Sequence, residues 1–384
     1  MTPYLLLLLI TGVSGFAMCE YRPSNKKNLI FLLLITTILI TLAGIRASSV
    51  GVDTEPYCNF FNFVSGKGSD FALSNDFQME YGYYFLNYLI SLLTKDALLG
   101  ISIISVLIIV LRLICIWKYS SSIWISIFIY ISFGFFGYSM CTLRQELGIS
   151  IAFFALPFLK GRKFIPYLII ILLASSFHVS MLILIPVYFI AYFPINWKYI
   201  IAYLSVTILI MLFSEPIVSI FIKIYPKFES YEPGTYFMLG RNFNTLFIPL
   251  LLFIVAFLMR KTILGREDSN IVHLNFILFS TLLFVLTLKH FIFQRVALIF
   301  FPISIFLIPE LLNSLKPQGE NDYLIKEHPK RNSKKYVQYK WQLKEKKQLY
   351  NTALALTLIC SSIYYLFLLY ANRLLLVPYL SRLI

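Results

Sequence analysis

The sequence predicts an all-α polytopic integral membrane protein of about twelve transmembrane helices. Three observations lead there. Of its 384 residues, 59% are hydrophobic and 13% charged, where a soluble domain carries about a quarter charged residues. Mean hydropathy is +0.78. The apolar share suffices for roughly eleven spans at about 20 residues each. These values exclude a soluble enzyme, a secreted disulfide scaffold and a disordered regulator. The net charge of +15 does not indicate a nucleic-acid partner, because the basic residues are dispersed through short loops where membrane orientation accounts for them. The five cysteines show no CxxC or metal spacing and are silent on redox compartment.

Apolar runs broken by charges or Pro/Gly punctuation place the spans at Pro3–Met18, Asn28–Ile45, Ala97–Trp117, Ile123–Tyr138, Thr142–Leu159 and Phe164–Phe177. Val179–Phe193, Tyr199–Ile222, Phe243–Met259, Ile271–Leu288, Val296–Leu315 and Thr352–Ala371 complete the set. The first run lacks the basic flank of a signal peptide and reads as a retained helix. Phe164–Phe177 and Val179–Phe193 are short, as in a tight or partly re-entrant hairpin. Tyr81–Leu93 is too short to cross, and its tyrosines suit a helix lying in the interface. No internal repeat is visible. The chain therefore reads as one transmembrane domain, residues 1–384, with an outer loop at 46–96 carrying that interfacial helix and a basic cytoplasmic loop at 316–348.

Orientation follows from the basic residues. Six loops on one side hold 21 of the 33 Lys and Arg, and the other side holds 11. The richer side is predicted to be cytoplasmic, which puts both termini outside. Acidic residues gather on the outer side, at Asp53, Glu55, Asp70, Asp76 and Glu80.

No GxxxxGK[ST], GxSxG, HExxH or GxGxxG occurs, so nucleotide hydrolysis, serine hydrolysis and zinc catalysis lack local support. The four histidines have no ligand spacing; neither a metal nor another cofactor is expected. What remains is a set of ionisable groups at the outer ends of spans: Arg46, Arg144, His178, Arg241, His290 and Arg295. Charges at membrane depth are costly and point to function by default, with snorkelling to the headgroups as the alternative for any single Arg. Arg112 and Lys118, near the inner face, are expected to snorkel. Arg144 and Glu146 stand about 200° apart on a helix and should not pair.

Five segments then carry a resemblance. Arg46-Ala47-Ser48-Ser49-Val50-Gly51-Val52-Asp53-Thr54-Glu55-Pro56-Tyr57 reads R…GxDxxxY, and Glu80 precedes the aromatic-rich Tyr81-Gly82-Tyr83-Tyr84-Phe85. Leu143-Arg144-Gln145-Glu146-Leu147 opens a helix, Phe177-His178-Val179-Ser180 makes a hairpin, and Gln294-Arg295-Val296 opens a late helix. In this order and sidedness, from about Arg46 to Pro309, the chain resembles EpsG-like, Wzy-type polysaccharide polymerases. Gly148, where Ala is usual, and the long basic loop before the last helix depart from that pattern.

The resemblance implies a GT-C-like bundle in the bacterial inner membrane, with its active site facing the periplasm. It implies a polymerase that moves a growing glycan from undecaprenyl pyrophosphate onto the next lipid-linked repeat unit. The implied partners are that lipid-linked oligosaccharide, membrane lipids and a chain-length regulator protein. Such a reaction needs cations for the pyrophosphate, and Arg46, Arg144, Arg241 and Arg295, with Gln145 and His290, are the binding candidates. It also needs a carboxylate to take the acceptor proton; Asp53 is preferred, with Glu55 and Glu80 behind it and His178 as a further catalytic candidate. Gly148, one turn beyond Arg144, is expected to leave room for a bulky lipid-linked group. A glycan flippase, an O-antigen ligase and a membrane O-acyltransferase remain as alternatives.

Overall fold

The computed structural model describes residues 1–21, 23–67, 79–224, 243–316 and 334–382. Among the described residues, eighteen α-helices follow one another: α1 Thr2–Gly15 (extended by a π turn, Phe16–Glu20), α2 Asn25–Gly44, α3 Thr54–Lys67, α4 Tyr81–Ser91, α5 Ala97–Tyr119 and α6 Ile123–Ser132. Then come α7 Phe135–Cys141, α8 Leu143–Ala152, α9 Leu156–Lys160, α10 Phe164–Ser175, α11 Leu184–Ile190 and α12 Trp197–Ile224. The last are α13 Phe243–Leu258, α14 Arg260–Leu264, α15 Ile271–Leu286, α16 Phe293–Phe300, α17 Ser304–Leu315 and α18 Lys334–Ala371.

Among the described residues, seven helical stretches are long and apolar enough to cross a membrane, or eight if the bent pair α6–α7 counts as one. Phe164–Ser175, Val179–Ile190 and Phe243–Leu258 are shorter apolar helices. Their outward faces suit lipid: Ile201, Leu204, Ile208 and Leu212 line one exposed stripe of α12, a row that water would penalise.

The structure departs from the sequence reading at definite places. The segment Ile123–Tyr138 is not one straight span but turns by 59° between α6 and α7. Gly134 makes that corner at φ +81°, a backbone conformation that costs a side-chain-bearing residue free energy. The segment Thr142–Leu159 is α8 and α9 joined by a 3-10 turn. The basic segment 316–348 does not stay a loop to its end, since α18 begins at Lys334. The outer segment 46–96 holds two helices among its described residues, α3 as well as α4.

α3 and α4 form an aromatic cap over α5 and α8. Tyr57, Phe60, Phe61 and Val64 recur at helical spacing on one buried face of α3. Phe60 stacks on Tyr83 and meets Tyr84 edge-on. Gly82 lets α4 reach the α10–α11 corner: its N–H donates to the Ser176 carbonyl at 2.9 Å, and a Cβ there would stand 2.6 Å from that oxygen. This contact brings the start of α4, with Glu80, to His178.

Beneath the cap, Arg112 does not snorkel. It is fully buried on α5 and donates to Glu146 of α8 at 2.8 Å, with its guanidinium 4.6 Å over the Phe153 ring. Removing one member of a buried pair strands the other charge, typically at 3–5 kcal/mol. Glu146→Leu should therefore destabilise the purified protein by about that much, while the Arg112→Met/Glu146→Leu double variant recovers most of it. Thermal unfolding of the three proteins reads this out, and a double variant no better than the single would contradict it.

After α18 the chain folds back across the bundle end. Ala47 N–H donates to Leu380 O at 2.8 Å, Gly51 N–H to Leu375 O and Val52 N–H to Leu374 O, both at 3.0 Å, and Arg382 N–H to Ile45 O at 2.9 Å. These bonds fix the backbone immediately before Asp53.

Candidate active site

A cleft of about 570 Å³ opens at this end of the bundle, lined by Asp53, Pro56, Tyr57, Met79, Thr142, Arg144, Gln145, His178 and Arg295. Five separate stretches of chain supply it, Met79 being one of them. Asp53 immediately precedes α3, and Tyr57 lies one turn on along the same face. Arg144 and Gln145 are the second and third residues of α8. His178 sits at the α10–α11 corner, and Arg295 is the third residue of α16.

Glu80 organises one wall. Its Oε2 accepts from Arg144 Nη1 at 2.6 Å, and its Oε1 accepts from the Val179 N–H at 3.2 Å. His178 Nδ1 stands 3.4 Å from Oε1, close enough for an ion pair when the ring is protonated but not aligned as a hydrogen bond. The Nε donor of Arg144 is buried without a hydrogen-bond partner among the described residues. Gln145 Nε2 donates to the Arg295 carbonyl at 2.7 Å, tying α8 to α16 and bringing both arginines into the cleft with Asp53.

The two carboxylates are driven apart. Burial pushes the Asp53 carboxyl above its ordinary value, against the pull of Arg295 and Arg144. Burial also acts upward on Glu80, but contact with His178, the Arg144 guanidinium and the Val179 N–H outweighs it and holds that carboxyl down at about 2. A carboxylate held that low is a poor proton acceptor, whereas one raised toward neutrality is a better one. Glu80 thus stays ionised and holds Arg144 in an ion pair, and Asp53 is the carboxyl of the two that burial raises.

The remaining candidates lie elsewhere. Arg46 is fully buried and donates to the carbonyls of Ala43 (2.7 Å) and Met140 (3.4 Å) and to Ser105 Oγ (3.0 Å); it closes the end of α2 and does not line the cleft. His290 is buried with its Nε2 2.7 Å from Ser214 Oγ, also outside the cleft lining. Glu55 is exposed and does not line it. Arg241 lies outside the described residues. Gly148 does not face open space, since a Cβ there would come 3.0 Å from Met181 Cγ and 3.3 Å from Ala174 O; it allows α10 and the following turn to pack on α8. Tyr57 and Thr142 line the cleft without having been singled out, although Tyr57 closes the R…GxDxxxY pattern. Among the described residues, no three His, Cys, Asp or Glu side chains gather as a metal-binding group.

The EpsG family model matches residues 29–325. The chain belongs to the EpsG family. Membership marks it as a polysaccharide polymerase-like membrane protein. Every described lining residue of the cleft falls inside the EpsG match, while α18 and the returning segment that holds Gly51 and Val52 lie beyond it. Neither a curated protein nor a solved structure matches the chain.

Proposed function

We propose that this EpsG-family protein is an O-antigen or related polysaccharide polymerase of the bacterial inner membrane, working at the periplasmic face on undecaprenyl-pyrophosphate-linked repeat units. The observation that carries the reading is that Asp53, Arg144 and Arg295 line one cleft, with both guanidiniums acting on the Asp53 carboxyl. A hydroxyl of the acceptor sugar attacks the anomeric carbon of the donor glycan as the bond to the pyrophosphate oxygen breaks. The leaving oxygen keeps the electron pair, and its charge is met by the two guanidiniums. Asp53 takes the hydroxyl proton. Glu80 holds Arg144 in place and is not consumed.

A deletion strain analysed on a lipopolysaccharide gel tests this directly. Loss of a polymerase should leave core bearing a single repeat unit. Bare core would indicate a flippase or a ligase instead, and an unchanged ladder an acyltransferase.

A further inference from the structure

Two apolar cavities lie end to end beside the cleft. The first is walled by α7, α16 and α18, with Tyr138, Phe284, Leu298, Phe301 and Leu368 among its lining. The second is walled by α13, α17 and α18, with Leu252, Val255, Leu311 and Thr357 among its lining. Both are lined by Phe133, whose ring stacks on Phe301 at 5.7 Å. Adjoining at Phe133, they form a two-compartment apolar trough along α18, from Asn372 to Ala353. At about 1.5 Å per residue that stretch measures roughly 28 Å, close to the ~30 Å thickness of the hydrocarbon core.

The polar end of the trough adjoins the cleft. Gln294 lines the trough and Arg295 lines the cleft. On the facing side, Tyr138 lines the trough and Thr142, one turn later, lines the cleft; the Thr142 N–H donates to the Tyr138 carbonyl at 2.9 Å. Gln294 Oε1 is buried there without a hydrogen-bond partner among the described residues.

We infer that this trough holds the polyprenyl chain of the pyrophosphate carrier, with the pyrophosphate between Arg144 and Arg295. The inference rests on the proposed lipid-pyrophosphate donor. Length selects the occupant: a phospholipid acyl chain reaches about half the hydrocarbon thickness, whereas the trough is about as long as the whole of it. The aromatic and branched lining also suits a methyl-branched, unsaturated chain. α18, the common wall, therefore contributes to substrate binding although it lies beyond the EpsG match.

The test plugs the trough at two depths in full-length protein in phosphatidylcholine nanodiscs. Leu298→Trp fills the part beside the cleft, and Thr357→Trp fills the far part. The probes are undecaprenyl pyrophosphate, farnesyl pyrophosphate and inorganic pyrophosphate. A buried methylene is worth roughly fourfold in affinity, so a plug that expels several should weaken binding by at least about tenfold. Thr357→Trp should weaken undecaprenyl pyrophosphate alone. Leu298→Trp should weaken both prenyl ligands and leave inorganic pyrophosphate unchanged. Equal undecaprenyl pyrophosphate binding in wild type and both plugs overturns the trough, as does displacement of the long-chain ligand by equimolar phosphatidylglycerol. In either case Arg144→Ala still weakening undecaprenyl pyrophosphate would leave the proposed polymerase intact. No binding of that ligand to wild type would overturn both. Matching thermal unfolding of the variants and wild type guards against misfolding.

Discussion

Asp53→Asn should lower glycan transfer by about 10²–10⁴-fold, the usual contribution of a positioned general base, and should shorten or abolish the ladder at normal membrane abundance. The substitution is isosteric, and Asn precedes a helix as well as Asp does, so the start of α3 has no reason to fail. Only the capacity to take a proton is lost. The pH profile gives a second reading. Burial raises the Asp53 carboxyl, so its basic form is present above that raised value and is lost as pH falls through it. Wild-type transfer should therefore fall on the acid side with a midpoint above the ordinary aspartate value. Glu80 cannot produce that limb, because its carboxyl at about 2 stays ionised throughout. Residual Asp53→Asn activity should lack the limb. Wild-type ladders from Asp53→Asn would remove Asp53 from the mechanism.

The existence of the apolar helices was legible because membrane solvation selects for length and hydrophobicity, both of which are local. Their bends and pairings were not. Nothing in the sequence around Arg112 reports that Glu146 will face it, since that depends on how α5 and α8 rotate against each other. The same holds for Gly148, whose space is taken by Met181, 33 residues away in sequence. α3 was available in principle: Tyr57, Phe60, Phe61 and Val64 follow a helical period, but polar neighbours keep the segment too hydrophilic for a search for spans. At the site, sidedness grouped Asp53, Glu80, Arg144, His178 and Arg295, which the structure also brings together. It could not separate Arg46 and His290, which lie outside the cleft lining, because burial around the end of a helix is set by what packs there. For Arg46 that is Ser105 and the Met140 carbonyl.

Arg144→Lys and Arg295→Lys should each reduce the ladder to a single repeat almost as completely as the alanine variants, with a rate loss of about 10²-fold or more. Charge is retained in both, so the expected loss isolates geometry. A guanidinium offers a planar fork to a phosphate, whereas an ammonium is a point charge. The structure makes that fork matter at Arg144: Nη1 is committed to Glu80 at 2.6 Å while the guanidinium also lines the cleft. A lysine can serve Glu80 or the phosphate, but not both in the same geometry. Both arginines also stand in the first turn of a helix, where unpaired N–H groups and the helix dipole favour an anion. Arg295 is further fixed through its own backbone, because Gln145 holds its carbonyl at 2.7 Å. The two cations thus line one cleft, and the Gln145 bond ties the helices that carry them. If these arginines only snorkelled or oriented the spans, lysine would replace them at little cost, since it snorkels equally well. Normal ladders from both lysine variants would therefore dismiss the clamp, and with it the role assigned to the cleft.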